Sequence, residues 1–205
     1  QFQCLGPNST IVTACATGTQ AIGEAAELIR RGVADIVITG GTEALIRDFS
    51  FGGFCAMRAL PTNYNDSPEA ASRPFDAKRE GFVFSEGAGS IVLESLDHAL
   101  KREARILAEV AGHASSTDAF HVAQPDPDAA GPCRAMKWAI RDAGLEPAQV
   151  DYINAHGTST PLNDVMETRA IKCVFGEYSY HLAISSTKSM VGHAMGASGA
   201  LEAIA

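Results

Sequence analysis

Apolar residues at Ile22, Ala25, Ala26 and Ile29 recur at i, i+3, i+4 and i+7, which predicts one buried face of a helix that Gly32 ends. The β-branched run at 11–14 just before it reads as a short buried strand. Ala34 to Thr39 reads as a second strand, closed by Gly40-Gly41. Glu24 and Glu27 precede Arg30 and Arg31 in the helix, the order its macrodipole favours. The pattern is that of a βαβ unit. From Ser50 to Arg79, Gly52-Gly53, Pro61, Pro68 and Pro74 break every periodic run, so a loop-rich stretch is expected. Between Gly81 and Glu94 two apolar runs, Phe82-Val-Phe84 and Ile91-Val-Leu93, flank Glu86-Gly-Ala-Gly89 and suggest a strand pair or a bulged strand. A helix over 96–102 follows. A second alternating series comprises a helix over 133–143 stopped by Gly144, a strand over 150–155, a helix over 163–175 and a strand over 182–186. Strands alternating with helices predict an α/β fold with a mostly parallel sheet. The strand and helix order around residue 15 is loosely echoed after residue 150, although no residue-level repeat is visible.

Composition narrows the class. With 205 residues, 46% of them hydrophobic, the chain can bury a sizeable core. A net charge of -8 with scattered Lys and Arg argues against nucleic acid or an anionic membrane as partner. Five irregularly spaced cysteines without a Cys-x-x-Cys argue for reduced thiols, a cytoplasmic setting and no metal site. The first residues do not read as a targeting segment, no apolar run approaches the ~20 residues of a membrane-spanning helix, and both ends read as cuts in a longer protein.

Three segments carry candidate chemistry. Thr13-Ala-Cys-Ala-Thr-Gly18 places Cys15 at an expected strand-to-helix junction, where unpaired backbone N–H groups and the helix dipole favour a thiolate and small neighbours leave room for a substrate. Asn154-Ala-His-Gly-Thr-Ser-Thr-Pro161 places His156 after a strand, and Lys188-Ser-Met-Val-Gly-His193 does the same for His193. A cysteine nucleophile with histidines gathered by folding fits this pattern.

These motifs, with Ser186-Thr-Lys-Ser-Met-Val-Gly-His, resemble the active-site motifs of elongating β-ketoacyl-acyl-carrier-protein synthases of the thiolase superfamily, and the likeness runs through the whole chain, including Ala71-Ser-Arg-Pro-Phe-Asp76 and Glu80-Gly-Phe-Val-Phe-Ser-Glu-Gly-Ala-Gly89. The resemblance implies a thiolase-like α/β fold of duplicated βαβ halves in α/β/α/β/α layers, incomplete here at both ends, with 1–97 the later part of the N-terminal half and 98–205 the earlier part of the C-terminal half. It implies a decarboxylating Claisen condensation of malonyl-carrier protein with a Cys-bound acyl chain in fatty-acid elongation. A ketosynthase domain or a chain-length-factor-like subunit of a polyketide synthase is the alternative; Cys15 weighs against the latter. The implied catalytic residues are Cys15, His156 and His193 with Lys188 and Glu202 in support. Thr158 and Thr160 would hold a phosphopantetheine arm, Phe54 would line and gate the acyl pocket, and Arg58 would meet the acidic carrier protein. The implied partners are acyl carrier protein and a second copy of the full-length chain. No resident cofactor is implied, since phosphopantetheine carries the substrates. Ala123 and Gln124 stand where the family often has hydroxyl residues. Cys173 is expected on the apolar face of its helix with Met166 and Ala170, Cys133 at a helix start, and Cys4 and Cys55 without a chemical role.

Overall fold

The computed structural model describes residues 2–122 and 124–205, so the Ala123 position lies outside the described residues. Along the chain run α1 (Thr17–Arg30), β1 (Ile36–Glu43), α2 (Asp48–Ala56), β2 (Gly87–Glu94), α3 (Leu96–Lys101), α4 (Ala130–Asp142), β3 (Tyr152–Asn154), α5 (Pro161–Phe175), β4 (Ala183–Ser185), α6 (Lys188–Val191) and α7 (Ser198–Ile204), with short 3-10 turns between them. The chain divides into two compact units, one of residues 1–43, 87–110 and 195–205 and one of residues 44–86 and 111–194.

In the first unit α1 buries Ile22, Ala25 and Ala26 on the face its periodicity foretells, with Ile29 half-buried at its edge. Gly32, at φ +67°, turns the chain out of the helix. The expected strand at 11–14 is absent: residues 11–13 have no regular structure, the chain then tightens into a 3-10 turn at 14–16, and Val12 is 80% exposed. Apolar β-branched residues make a strand only where a neighbour completes the hydrogen-bond ladder, and no described strand pairs with this segment. β1 pairs with β2 in antiparallel register from Ile36↔Glu94 to Glu43↔Gly87, so the parallel pairing expected here is not observed. Nor do Gly40-Gly41 close the strand. They lie inside it, because a Cβ at Gly40 would stand 2.0 Å from the Gly89 carbonyl oxygen and one at Gly41 would stand 2.6 Å from that of Gly196. The glycines are there for close backbone approach. Gly18 and Gly199 serve the same purpose where α1 packs on α7.

In the second unit β3 and β4 are parallel, in register Tyr152↔Ala183 to Asn154↔Ser185. Ile171, Phe175 and Leu182 form its core, with Met136, Ile140, Val150 and Ile153 packed against them. The helices and strands expected after residue 130 all form, within a few residues of their expected bounds. The middle of the chain differs. The expected loop contains α2, which passes through Gly52-Gly53 at a propensity cost of about 1 kcal/mol per glycine. Aromatic packing outweighs that cost: the Phe51 ring meets Phe84, and Phe54 meets Phe82 and Phe84 edge-on at centroid distances of 5.3 and 5.0 Å. The run 82–84 does not form a hairpin with 91–93; Phe84 instead bridges in parallel to His193. Cys173 is exposed rather than packed on an apolar face, and it forms a disulfide with Cys133 across α4 and α5, with Cα atoms 6.4 Å apart. The reduced-thiol expectation therefore fails for this pair, because cysteines 40 residues apart in sequence are brought face to face by helix packing that spacing alone does not reveal.

Candidate active site

Two loops leave the C-terminal ends of β3 and β4, and hydrogen bonds join them. The Ala155 N–H donates to the Ser185 carbonyl at 2.7 Å, the Ser186 hydroxyl donates to the Gly157 carbonyl at 2.9 Å, and the Thr187 N–H donates to the Asn154 side-chain oxygen at 3.3 Å. Gly157 sits at φ +40°, where a Cβ would lie 2.5 Å from that of Ser186. The first loop is held from below by Glu167 on α5, whose carboxylate accepts the N–H groups of His156 at 2.6 Å and Gly157 at 2.7 Å. Arg79 donates to the carbonyls of Thr160 and Pro161, and buried Asp164 accepts the Phe75 N–H at 2.7 Å. The second loop is fixed where the His193 N–H donates to the Val83 carbonyl at 2.7 Å and the Ser85 N–H donates to the His193 carbonyl at 3.1 Å. Gly192, at φ +70°, lets the chain turn into that bridge.

This bracing brings the imidazoles of His156 and His193 edge to face, with centroids 5.3 Å apart and planes at 85°. The Phe82 ring meets His193 at the same distance, and His193 is 2% exposed. Burial, then the nearby Lys188 ammonium and His193, push His156 well below an ordinary histidine, and burial with Lys188 pushes His193 down to about 3. Both rings are neutral at pH 7, each able to offer one N–H and one lone pair. An ammonium beside both disfavours a bound divalent cation, so the set suits hydrogen bonding to a developing anion better than metal ligation.

The same shifts set a pH dependence. A histidine whose folded pKa is depressed binds fewer protons in the native state, so stability is complete above the unfolded value near 6.5 and falls as pH falls below it. Each such ring contributes about 1.4 kcal/mol per pH unit within its window. Glu167, raised by burial, acts with the opposite sign just above 4.5, and Glu94, held at about 2 by Arg102 and His98, adds acid sensitivity only between 4.5 and 2. Urea melts of the full-length protein should lose stability from pH 6.5 downward, with a shallower slope in His193→Asn; equal slopes would contradict the assignment.

Of the other expected site residues in this unit, Lys188 is buried at 2% exposure, and its carbonyl accepts the Ser72 hydroxyl at 2.5 Å. The Thr158 hydroxyl is buried and pairs with that of Thr160 at 2.8 Å, so it is engaged locally. Phe54 joins the aromatic cluster that reaches His193 through Phe82. Arg58 is exposed at a positive φ of 53° beyond α2.

Cys15 belongs to the first unit. It occupies the 3-10 turn that leads into α1, after Ala14 in the left-handed region at φ +49°, a conformation costing of order 1 kcal/mol or more. The Ala16 N–H closes the turn on the Thr13 carbonyl at 3.0 Å. The half-buried Cys15 sulfur lies 3.7 Å from that of Met195. The 3-10 turn at 195–197, which carries Met195, packs on the Cys15 turn and on β1, where the Gly196 N–H donates to the Glu43 carboxylate at 3.1 Å. Glu202 lies on α7, half-buried.

Two family models divide the chain between them: the N-terminal domain of β-ketoacyl synthase matches residues 1–99, and the C-terminal domain matches residues 107–205. The chain belongs to the β-ketoacyl synthase family. It is 54% identical over 200 residues to a 3-oxoacyl-[acyl-carrier-protein] synthase 2 of Synechocystis, covering 98% of this chain and 48% of that relative. It is also 54% identical over 204 residues to the enzyme of that name from Coxiella burnetii, covering 100% and 49%. The chain thus spans about half the length of the curated relatives it matches. Among solved structures it is similar to a type II polyketide ketosynthase in complex with its acyl-carrier protein and bound to a hexaketide, at a TM-score of 0.95 and 43% identity over 97% of this chain and 49% of that one. A β-ketoacyl synthase from Burkholderia phymatum matches at a TM-score of 0.87 and 44% identity, over 93% and 45%. The thiolase-like α/β fold expected from the motifs is that of these ketosynthases.

Sequence reasoning missed the residues that brace this β-ketoacyl synthase chain from behind: Glu167, Ser186, Ser72, Arg79 and Asp164. Glu167 had one available signal. It stands one helical turn after Asn163, whose side-chain amide donates to it at 3.3 Å, on the helix that directly follows the His156 loop.

Proposed function

We propose that the full-length protein is a β-ketoacyl-acyl-carrier-protein synthase of fatty-acid elongation, an acyltransferase, with Cys15, His156 and His193 as its catalytic residues. The observation that carries this reading is the pair of neutral imidazoles held edge to face beside Lys188. The Cys15 thiolate attacks an acyl thioester and expels the phosphopantetheine thiol, leaving the acyl group on sulfur. Malonyl-carrier protein then loses carbon dioxide, and the electrons of the broken C–C bond form an enolate whose oxygen takes hydrogen bonds from His156 and His193. The enolate carbon attacks the acyl carbonyl, and collapse of the adduct returns the thiolate.

In this reading Lys188 keeps the rings uncharged and Glu202 supports it, Thr158 and Thr160 meet the pantetheine arm, Phe54 gates the acyl pocket and Arg58 faces the carrier protein. The earlier functional half is 1–97 and the later 98–205, a boundary two residues short of where the N-terminal family model ends at residue 99. Acyl carrier protein is the partner, supported by the related ketosynthase solved in complex with one, and a homodimer is the working assembly. A cytoplasmic setting fits the finding that no helix among the described residues is long and apolar enough to cross a membrane. Identity of 54–55% to the 3-oxoacyl synthases, against 43% to the type II polyketide ketosynthase and 42% to a ketosynthase/chain length factor, favours fatty-acid elongation over a polyketide role. The full-length protein, given acyl- and malonyl-carrier protein, should release carbon dioxide and yield one 3-oxoacyl product two carbons longer per turnover; a poly-β-keto product would favour the polyketide reading, and no carbon dioxide would end both.

A further inference from the structure

The second unit holds a pair of sulfurs that this chemistry does not use. Cys133 is buried on α4, and its partner Cys173 on α5 is exposed. The Lys137 ammonium, one turn along α4 from Cys133, lies 3.7 Å from the Cys173 sulfur. Lys137 and Arg141, a further turn on, both line a groove of about 390 Å³ with Ile140, Leu145, Pro147 and Val174. Glu146 also lines it, but its carboxylate is engaged in capping the turn at 147–149. One sulfur is thus on an exposed residue, its partner is buried, and the cation beside the exposed one also lines a groove that holds a second positive side chain.

We propose that Cys173 and Cys133 are a thiol–disulfide exchange site for a small anionic thiol of the glutathione class. The ammonium raises the thiolate fraction of Cys173 in the reduced protein. That thiolate attacks one sulfur of the oxidised small molecule, forms a mixed disulfide and expels one small thiolate. Cys133 then attacks the Cys173 sulfur, closing the intramolecular bond and expelling the second small thiolate. Two electrons pass from the cysteines to the small disulfide, and the two protons they release end on its thiols. Reduction retraces the path through the exposed Cys173. Exchange acts on α5, the helix whose Glu167 holds the His156 loop.

The test uses the full-length protein in glutathione buffers of graded redox poise, with alkylation and peptide mass readout. The wild type should pass from disulfide to dithiol at Cys133 and Cys173 within the range, and a pair fixed in either state throughout would overturn the proposal. Cys133→Ser should accumulate one glutathionyl group on Cys173. Modification of exposed Cys55 with none on Cys173 would also overturn it. Arg141→Gln should slow exchange with oxidised glutathione roughly two- to fivefold and leave exchange with the uncharged hydroxyethyl disulfide unchanged; equal effects on both would remove the anionic preference.

Discussion

Replacing Cys15 by alanine in the full-length protein should abolish the acyl-enzyme and lower condensation at least about 10³-fold, because no other side chain at the start of α1 can form a thioester. Intact mass after incubation with acyl-carrier protein should show one acyl group on the wild type, mapped to the peptide holding Cys15, and none on the variant. The exposed thiols Cys4 and Cys55 provide an internal control, since labelling there without Cys15 would reflect exposure alone. Condensation that survives in Cys15→Ala would refute the assignment.

The second large effect concerns the rings. His193→Ala should slow carbon dioxide release from malonyl-carrier protein roughly 10²- to 10³-fold, the usual cost of one lost donor to a developing oxyanion. It should leave acylation of Cys15 in place, because transfer of the acyl group needs no enolate. The split between the two half-reactions is the informative readout. A variant that loses both has lost its fold, which the melting curve would reveal, and a folded variant with undiminished carbon dioxide release would remove His193 from the chemistry.

Much of this was legible where local pattern and tertiary packing agree. The face of α1 followed from Ile22, Ala25 and Ala26, and the alternation after residue 130 followed from strands and helices with clear stops such as Gly144. The failures share a cause. Gly40-Gly41 and Gly52-Gly53 look like breaks, yet one pair serves a backbone contact with a partner strand and the other sits in a helix that aromatic rings hold. The run before Cys15 has strand composition but lacks a pairing neighbour, and the Cys133–Cys173 bond depends on two helices meeting. In the site, motifs revealed the residues that face chemistry. The bracing of His156 by Glu167 and of Gly157 by Ser186 left no such mark, because a carboxylate that accepts two backbone amides looks in sequence like any other helical glutamate.

The seam where Gly18, Gly41, Gly196 and Gly199 bring main chains into contact has a wider consequence. A floor built from bare backbone cannot be retuned by swapping one side chain for a bulkier one: a Cβ at Gly18, Gly41 or Gly199 would stand 2.5, 2.6 or 2.5 Å from a main-chain atom, so this part of the fold can vary only by moving whole segments.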